Sequence, residues 1–130
     1  MKFIIDRSKW RAGKDGPYAC GKGPTLLENM EGYQCCLGQI SLALGVPKNA
    51  LLAVATPQWL KQPFRDSLKD VLISQEGMLV NIDSPLSERA MTINDSVYFT
   101  REQRETELKN LFASNNHEIE FVGEYVDFRN

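Results

Sequence analysis

Cys35, His117 and Asp127 occur in the chain order of a thiol nucleophile, its imidazole base and a group that orients the base. That order is the minimum required of a cysteine hydrolase or transferase. Cys35 opens the apolar run Cys35-Cys36-Leu37-Gly38-Gln39-Ile40-Ser41-Leu42-Ala43-Leu44, and a thiol at a helix N-terminus can have its pKa lowered by the helix dipole. His117 is the only histidine, so no other imidazole could serve, and Asn130 is an alternative third member. The plainer reading is that Cys35 and Cys36 are small buried side chains. Cys-before-His order is easily met by chance, and Asn115-Asn116-His117 reads as a helix-ending turn. Tyr33-Gln34-Cys35-Cys36 also lacks the local context of known thiol motifs.

A second set lies nearer the start. Arg7, Lys9 and Arg11 surround Trp10, and Lys22 follows between Gly21 and Gly23. Cations beside an indole suit a phosphate with a base stacked on the ring. The competing reading anchors Trp10 in the core and leaves the charges in water. Gly16 to Lys22 also spells GxxxxGK, but Gly23 stands where a P-loop needs a hydroxyl for magnesium, and Pro24 follows. The glycines could still present backbone N–H groups to an anion, or serve only to turn the chain.

Composition excludes several classes. Six cations against two acids give residues 1–24 a charge of +4, leaving −6 for the remainder of a chain whose total is −2. An acidic body argues against a general nucleic-acid binder, while the basic N-terminal lobe permits a small anionic ligand. Three cysteines without CxxC spacing make a disulfide framework or a zinc site with His117 a poor fit, and point to a reduced, cytoplasmic setting. No apolar run approaches the roughly 20 residues of a membrane span, and Met1 to Asp6 does not resemble a signal peptide. No cofactor is implied.

These residues need a scaffold. At 130 residues the chain suits a single domain, 1–130. Lys2 to Asp6 reads as a strand with no one clean face, and Arg7 to Thr25 as a long ordered loop. A helix is expected from about Cys35 to Leu44, with Gly45 just past its end. Short helices are expected over 48–54 and 58–62, with Thr56 capping the second. Phe64 to Lys69 could continue helically. A hairpin is expected around Gln75-Glu76-Gly77, and a helix from Ser84-Pro85 to about Met91, followed by a polar turn at Asn94-Asp95. Thr100 and Gln103 form a capping box for a helix to Ala113. His117 to Asp127 reads as a terminal strand pair around Gly123. The fold class is α+β, a small sheet of N-terminal strand, central hairpin and C-terminal strands packed with several short helices.

Taken together, Trp10, Gly21-Lys22-Gly23, Leu26-Leu27, Gly32, Cys35-Cys36-Leu37-Gly38, Asn94-Asp95 and Leu111-Phe112 resemble a widespread family of small tailed-phage proteins. The resemblance implies a small accessory factor of the host cytoplasm that inhibits host defence without catalysis. Such a factor would mask a host defence protein or sequester a nucleotide second messenger. Arg7, Lys9, Trp10, Arg11 and Lys22 are the expected binding residues for a small anionic ligand. Binders of this sort are commonly oligomers, so a homo-oligomer stays open. The Cys35–His117 enzyme and a protein-binding inhibitor remain the alternatives.

Overall fold

Two distant strands pair in parallel, β1 (Lys2–Asp6) with β2 (Glu118–Val122), placing Phe3 opposite Ile119 and Ile5 opposite Phe121. The computed structural model describes residues 1–68, 71–72 and 86–128. Strand side chains alternate between faces, so Phe3, Ile5, Ile119 and Phe121 are buried while Ile4, Glu118 and Glu120 face outward. Complete burial of each such apolar side chain contributes about 1.5–3 kcal/mol. The run Phe3-Ile4-Ile5 thus has one clean face after all, with Ile4 on the solvent side.

Helices close a ring on the inner face. α1 (Cys36–Ala43) packs on β1 and α5 (Arg101–Ala113) on β2, while α4 (Leu86–Asp95) bridges α1 and α5. Two shorter helices, α2 (Lys48–Leu51) and α3 (Gln62–Asp66), and a 3-10 turn at Pro57–Trp59 lie along the connection from α1 towards α4. The result is an α+β fold with a parallel two-stranded sheet among the described residues. A parallel pair needs a crossover, and here nearly the whole chain is that crossover.

Local chemistry accounts for several helix ends. Gly45, at φ 100°, ends α1 in a Schellman motif: Val46 N–H donates to Ser41 O at 3.0 Å and Gly45 N–H to Leu42 O at 3.1 Å. Thr100 Oγ1 accepts from Gln103 N–H at 3.1 Å and Thr100 N–H donates to Gln103 Oε1 at 2.9 Å, which completes the capping box of α5. α5 turns Leu108, Leu111 and Phe112 inward, and Phe112 meets the Phe3 ring edge-on.

Other elements depart from expectation. Helix α2 stops at Leu51 because residues 52–54 pair with the segment before α1: Leu27 N–H donates to Val54 O at 2.8 Å and Ala53 N–H to Glu28 O at 2.9 Å. The terminal strand pair is replaced by β2 alone. Gly123 turns the chain at φ 78°, and Tyr125 to Asp127 return along the N-terminal loop, where Gly21 N–H donates to Val126 O at 2.7 Å. α4 runs on to Asp95, so Asn94-Asp95 is its last turn and not a loop. The hairpin around Gln75-Glu76-Gly77 and the start at Ser84-Pro85 lie outside the described residues.

Candidate functional site

The N-terminal loop is held by its own polar groups. Asp6 Oδ1 accepts from Ser8 N–H at 2.9 Å, which opens a 3-10 turn at Arg7–Lys9. The chain then pairs with the segment leading into α1, as Arg11 N–H donates to Gln34 O and Gln34 N–H to Lys9 O, both at 2.8 Å. Ala12 and Cys20 exchange two backbone hydrogen bonds at 3.0 Å. Residues 13–19 therefore project as a short excursion, within which Gly16 N–H donates to Gly13 O at 3.0 Å.

The five residues expected to bind an anion take different positions. The Trp10 side chain is fully buried between Phe121 and Tyr125, with ring centroids 5.1 and 6.1 Å away. Its indole is therefore a core anchor, and its enclosed faces offer no stacking platform. Arg7 donates to both carboxylate oxygens of Glu105, at 2.7 and 2.8 Å, and to Gly123 O at 3.0 Å. Tyr125 also donates to Glu105. The Arg7 guanidinium is thus committed to joining the loop to α5. Lys9 is exposed and Lys22 half-buried. Gly21 spends its N–H on Val126, and a Cβ there would lie 2.3 Å from Trp10 O. Close backbone approach explains that glycine without any ligand.

Arg11 is the member of this set that reaches a groove. The groove, about 480 Å³, is lined by Arg11, Lys14, Asp15, Thr25, Ala55, Met91 and Asp95. Arg11 is nearly enclosed. Its Nε donates to Gly23 O at 2.6 Å, its Nη1 to Ala12 O at 3.0 Å, and its guanidinium lies 4.5 Å from the Phe128 ring centre. Lys14 adopts φ 48°, a conformation that costs a non-glycine residue about 1–2 kcal/mol. Gly13 N–H donating to Asn94 O at 2.7 Å holds the turn there.

Asp95 lines the same groove. Asn94 Nδ2 donates to its Oδ1 at 3.0 Å. Burial raises the Asp95 pKa, opposed by the hydrogen bond from Asn94 and by the charges of Lys14, Arg11 and Arg104. Arg104 is fully buried and donates to Tyr18 O at 2.9 Å and Ser96 O at 3.1 Å. Burial lowers the pKa of both Arg11 and Arg104. Arg104 Nε is buried without a hydrogen-bond partner among the described residues. The groove thus brings two cationic side chains and two carboxylates to one concave surface, with Thr25 and Met91 between them.

Burial counts against the catalytic alternative. Cys35 caps α1, is wholly inaccessible, and its thiol is pushed up to about 12 by burial despite hydrogen bonds from backbone N–H groups. A cysteine nucleophile needs the opposite shift and an open approach. His117 makes its contacts elsewhere: its ring packs on Phe3, and Nδ1 lies 3.2 Å from the Met1 amino group. Burial, then that amino group, lowers its pKa. Asp127 accepts from Arg101 Nη2 at 2.8 Å. Cys36 and Cys20 are also buried, and burial raises Cys20 to about 11 against the charges of Arg104, Arg101 and Arg11.

Sequence reasoning missed Lys14, Asp15 and Asp95 as groove residues. The available signal was Lys14-Asp15 enclosed by Gly13 and Gly16, the composition of an exposed tight turn. Among the described residues no group of three or more His, Cys, Asp or Glu side chains could hold a metal ion, and no helix is long and apolar enough to cross a membrane. No family model, curated protein or solved structure matches this chain.

Proposed function

We propose that this chain is a phage accessory protein of the host cytoplasm that binds and neutralises a component of host defence without catalysis. The preferred component is a small anionic, nucleotide-type signal seated in the groove between Lys14 and Asp95. The observation that carries the reading is the groove itself: Arg11 and Lys14 reach it from a loop held in a strained turn. The groove is open, and its volume of about 480 Å³ falls in the range of small-ligand clefts. The resemblance of the Gly-Lys-Gly, Cys-Cys-Leu-Gly and Asn-Asp segments to small phage proteins supplies the biological setting. Net positive charge over residues 1–24 would draw an anion toward this end of an otherwise acidic molecule.

Titration calorimetry of the full chain against cyclic and linear nucleotides tests this reading, with amide chemical shifts as a second readout. Saturable binding by at least one nucleotide is expected, weakened about tenfold by K14E. No heat and no shift changes at millimolar ligand would overturn the ligand reading.

A further inference from the structure

The groove is not a simple anion cradle, because two carboxylates, Asp15 and Asp95, line it. Asp95 lies at the C-terminal end of α4 and lines the same surface as Lys14 and Arg11. Among the described residues its carboxylate accepts one hydrogen bond, from Asn94 Nδ2 to Oδ1 at 3.0 Å. An ionised carboxylate has about four acceptor positions, so Oδ2 has capacity for a ligand. Asn94 is itself fully buried and tied at three further points, which fixes the orientation of the group it holds.

A polyphosphate filling the groove would put negative charge against Asp95, and like charges repel. The part of a ligand beside Asp95 must instead be uncharged and rich in donors. Ribose hydroxyls meet that requirement, since a carboxylate accepts hydrogen bonds from vicinal hydroxyls while a phosphate on the same nucleoside stays several ångströms away. Lys14, exposed on this surface, is the cation placed to take the phosphate, and the nearly enclosed Arg11 adds its positive charge to the same groove.

We infer that Asp95 is the specificity-determining residue of this groove, selecting ribonucleoside phosphates by accepting hydrogen bonds from the ribose hydroxyls while Lys14 holds the phosphate, with the charge of Arg11 on the same surface. This rests on the groove being the ligand site proposed above. Asp95 makes the site discriminate between a nucleotide and a bare phosphate, and between ribose and a sugar without hydroxyls. The conservative change D95N keeps an oxygen for Asn94 Nδ2 and removes the charge.

The test measures affinities of the full chain for the four ribonucleoside 5′-monophosphates, their 2′,3′-dideoxy counterparts and inorganic pyrophosphate. The wild-type chain is expected to favour at least one ribonucleotide over its dideoxy form by about tenfold or more. In D95N that preference should fall below about threefold and pyrophosphate should bind more tightly, as one of the two carboxylate charges on the groove, the other being Asp15, is gone. D95E, which retains the charge but shifts it by a methylene, should lose the ribose preference while continuing to reject pyrophosphate. Equal affinity of the wild type for ribo and dideoxy forms, or an undiminished preference in D95N, overturns the role of Asp95 and leaves the groove as an anion site. Absence of binding by every probe, pyrophosphate included, overturns the groove as well.

Discussion

The indole Nε1 of Trp10 donates to Asn94 Oδ1 at 2.8 Å across 84 positions of sequence. The same oxygen accepts the backbone N–H of Cys36 at 3.1 Å, and Asn94 Nδ2 donates to Arg11 O at 3.1 Å and to Asp95. One amide thereby ties the N-terminal loop, the first turn of α1 and the end of α4. Buried polar groups of this kind are costly when left unpaired.

Asn94 is accordingly expected to be among the most sensitive polar positions. N94A strands the Trp10 and Cys36 donors and the Arg11 carbonyl, and should lower stability by about 3–5 kcal/mol in urea denaturation. N94D keeps an acceptor, but removes the donor to Arg11 and adds charge beside Asp95, so it should not restore wild-type stability. N110A, on the exposed side of α5, should change it by less than about 0.5 kcal/mol. Near-wild-type behaviour of N94A would refute the hub role.

Gly38 explains the glycine in Cys-Cys-Leu-Gly. A Cβ at this position would lie 1.9 Å from Leu27 O and 2.8 Å from its carbonyl carbon. Backbone crosses backbone here, so no rotamer change relieves the clash. G38A is expected to cost about 3 kcal/mol or more and to lower Tm by about 10 °C in a thermal melt. An unchanged Tm would show that the segment before α1 can move away.

Lys14 should separate stability from binding. Its φ of 48° is strained for lysine and ordinary for glycine. K14G is therefore expected to raise stability by about 0.5–1 kcal/mol. In the same variant nucleotide affinity should fall about tenfold, because the ammonium is lost. A loss of stability in K14G would mean that the lysine side chain holds the turn.

The buried thiols set the alkaline limit of the fold. An unperturbed thiol ionises near 9, whereas burial places Cys20 at about 11 and Cys35 at about 12. Between those values the unfolded chain has released protons that the folded chain still holds, so unfolding is favoured as pH rises. Stability should be undiminished by these groups below about pH 9. Above that it should fall by up to about 1.4 kcal/mol per pH unit for each thiol. An aromatic disulfide reagent at pH 8 should leave Cys20, Cys35 and Cys36 unmodified in the native chain and label all three in urea. Rapid native labelling of Cys35, slowed in H117A, would instead revive the thiol enzyme.

Much of the scaffold was legible before any coordinates. The extent of β1, the capping box at Thr100 and Gln103 and the glycine stop at Gly45 depend on residues within a turn or two of one another. Hydrogen-bond geometry and side-chain period act at that range, so residue types alone determine them. The bridging of α4 to α1 and α5 and the arrest of α2 at Leu51 were not legible, because partners far away in sequence impose them.

The sequence by itself determined the α+β class, most of the described helices, and a basic, glycine-rich loop beside an acidic body. Only the tertiary structure decided which of its charged and reactive groups remain available. Trp10, Cys35 and Arg7 have the residue types of a site, yet packing encloses the first two and Glu105 occupies the third. Lys14 is unremarkable in sequence and Asp95 reads there only as part of a polar turn, yet the two line one groove because Asn94 joins their segments. The physical reason is range: propensity and capping are local, while desolvation and charge pairing depend on what the rest of the fold brings near.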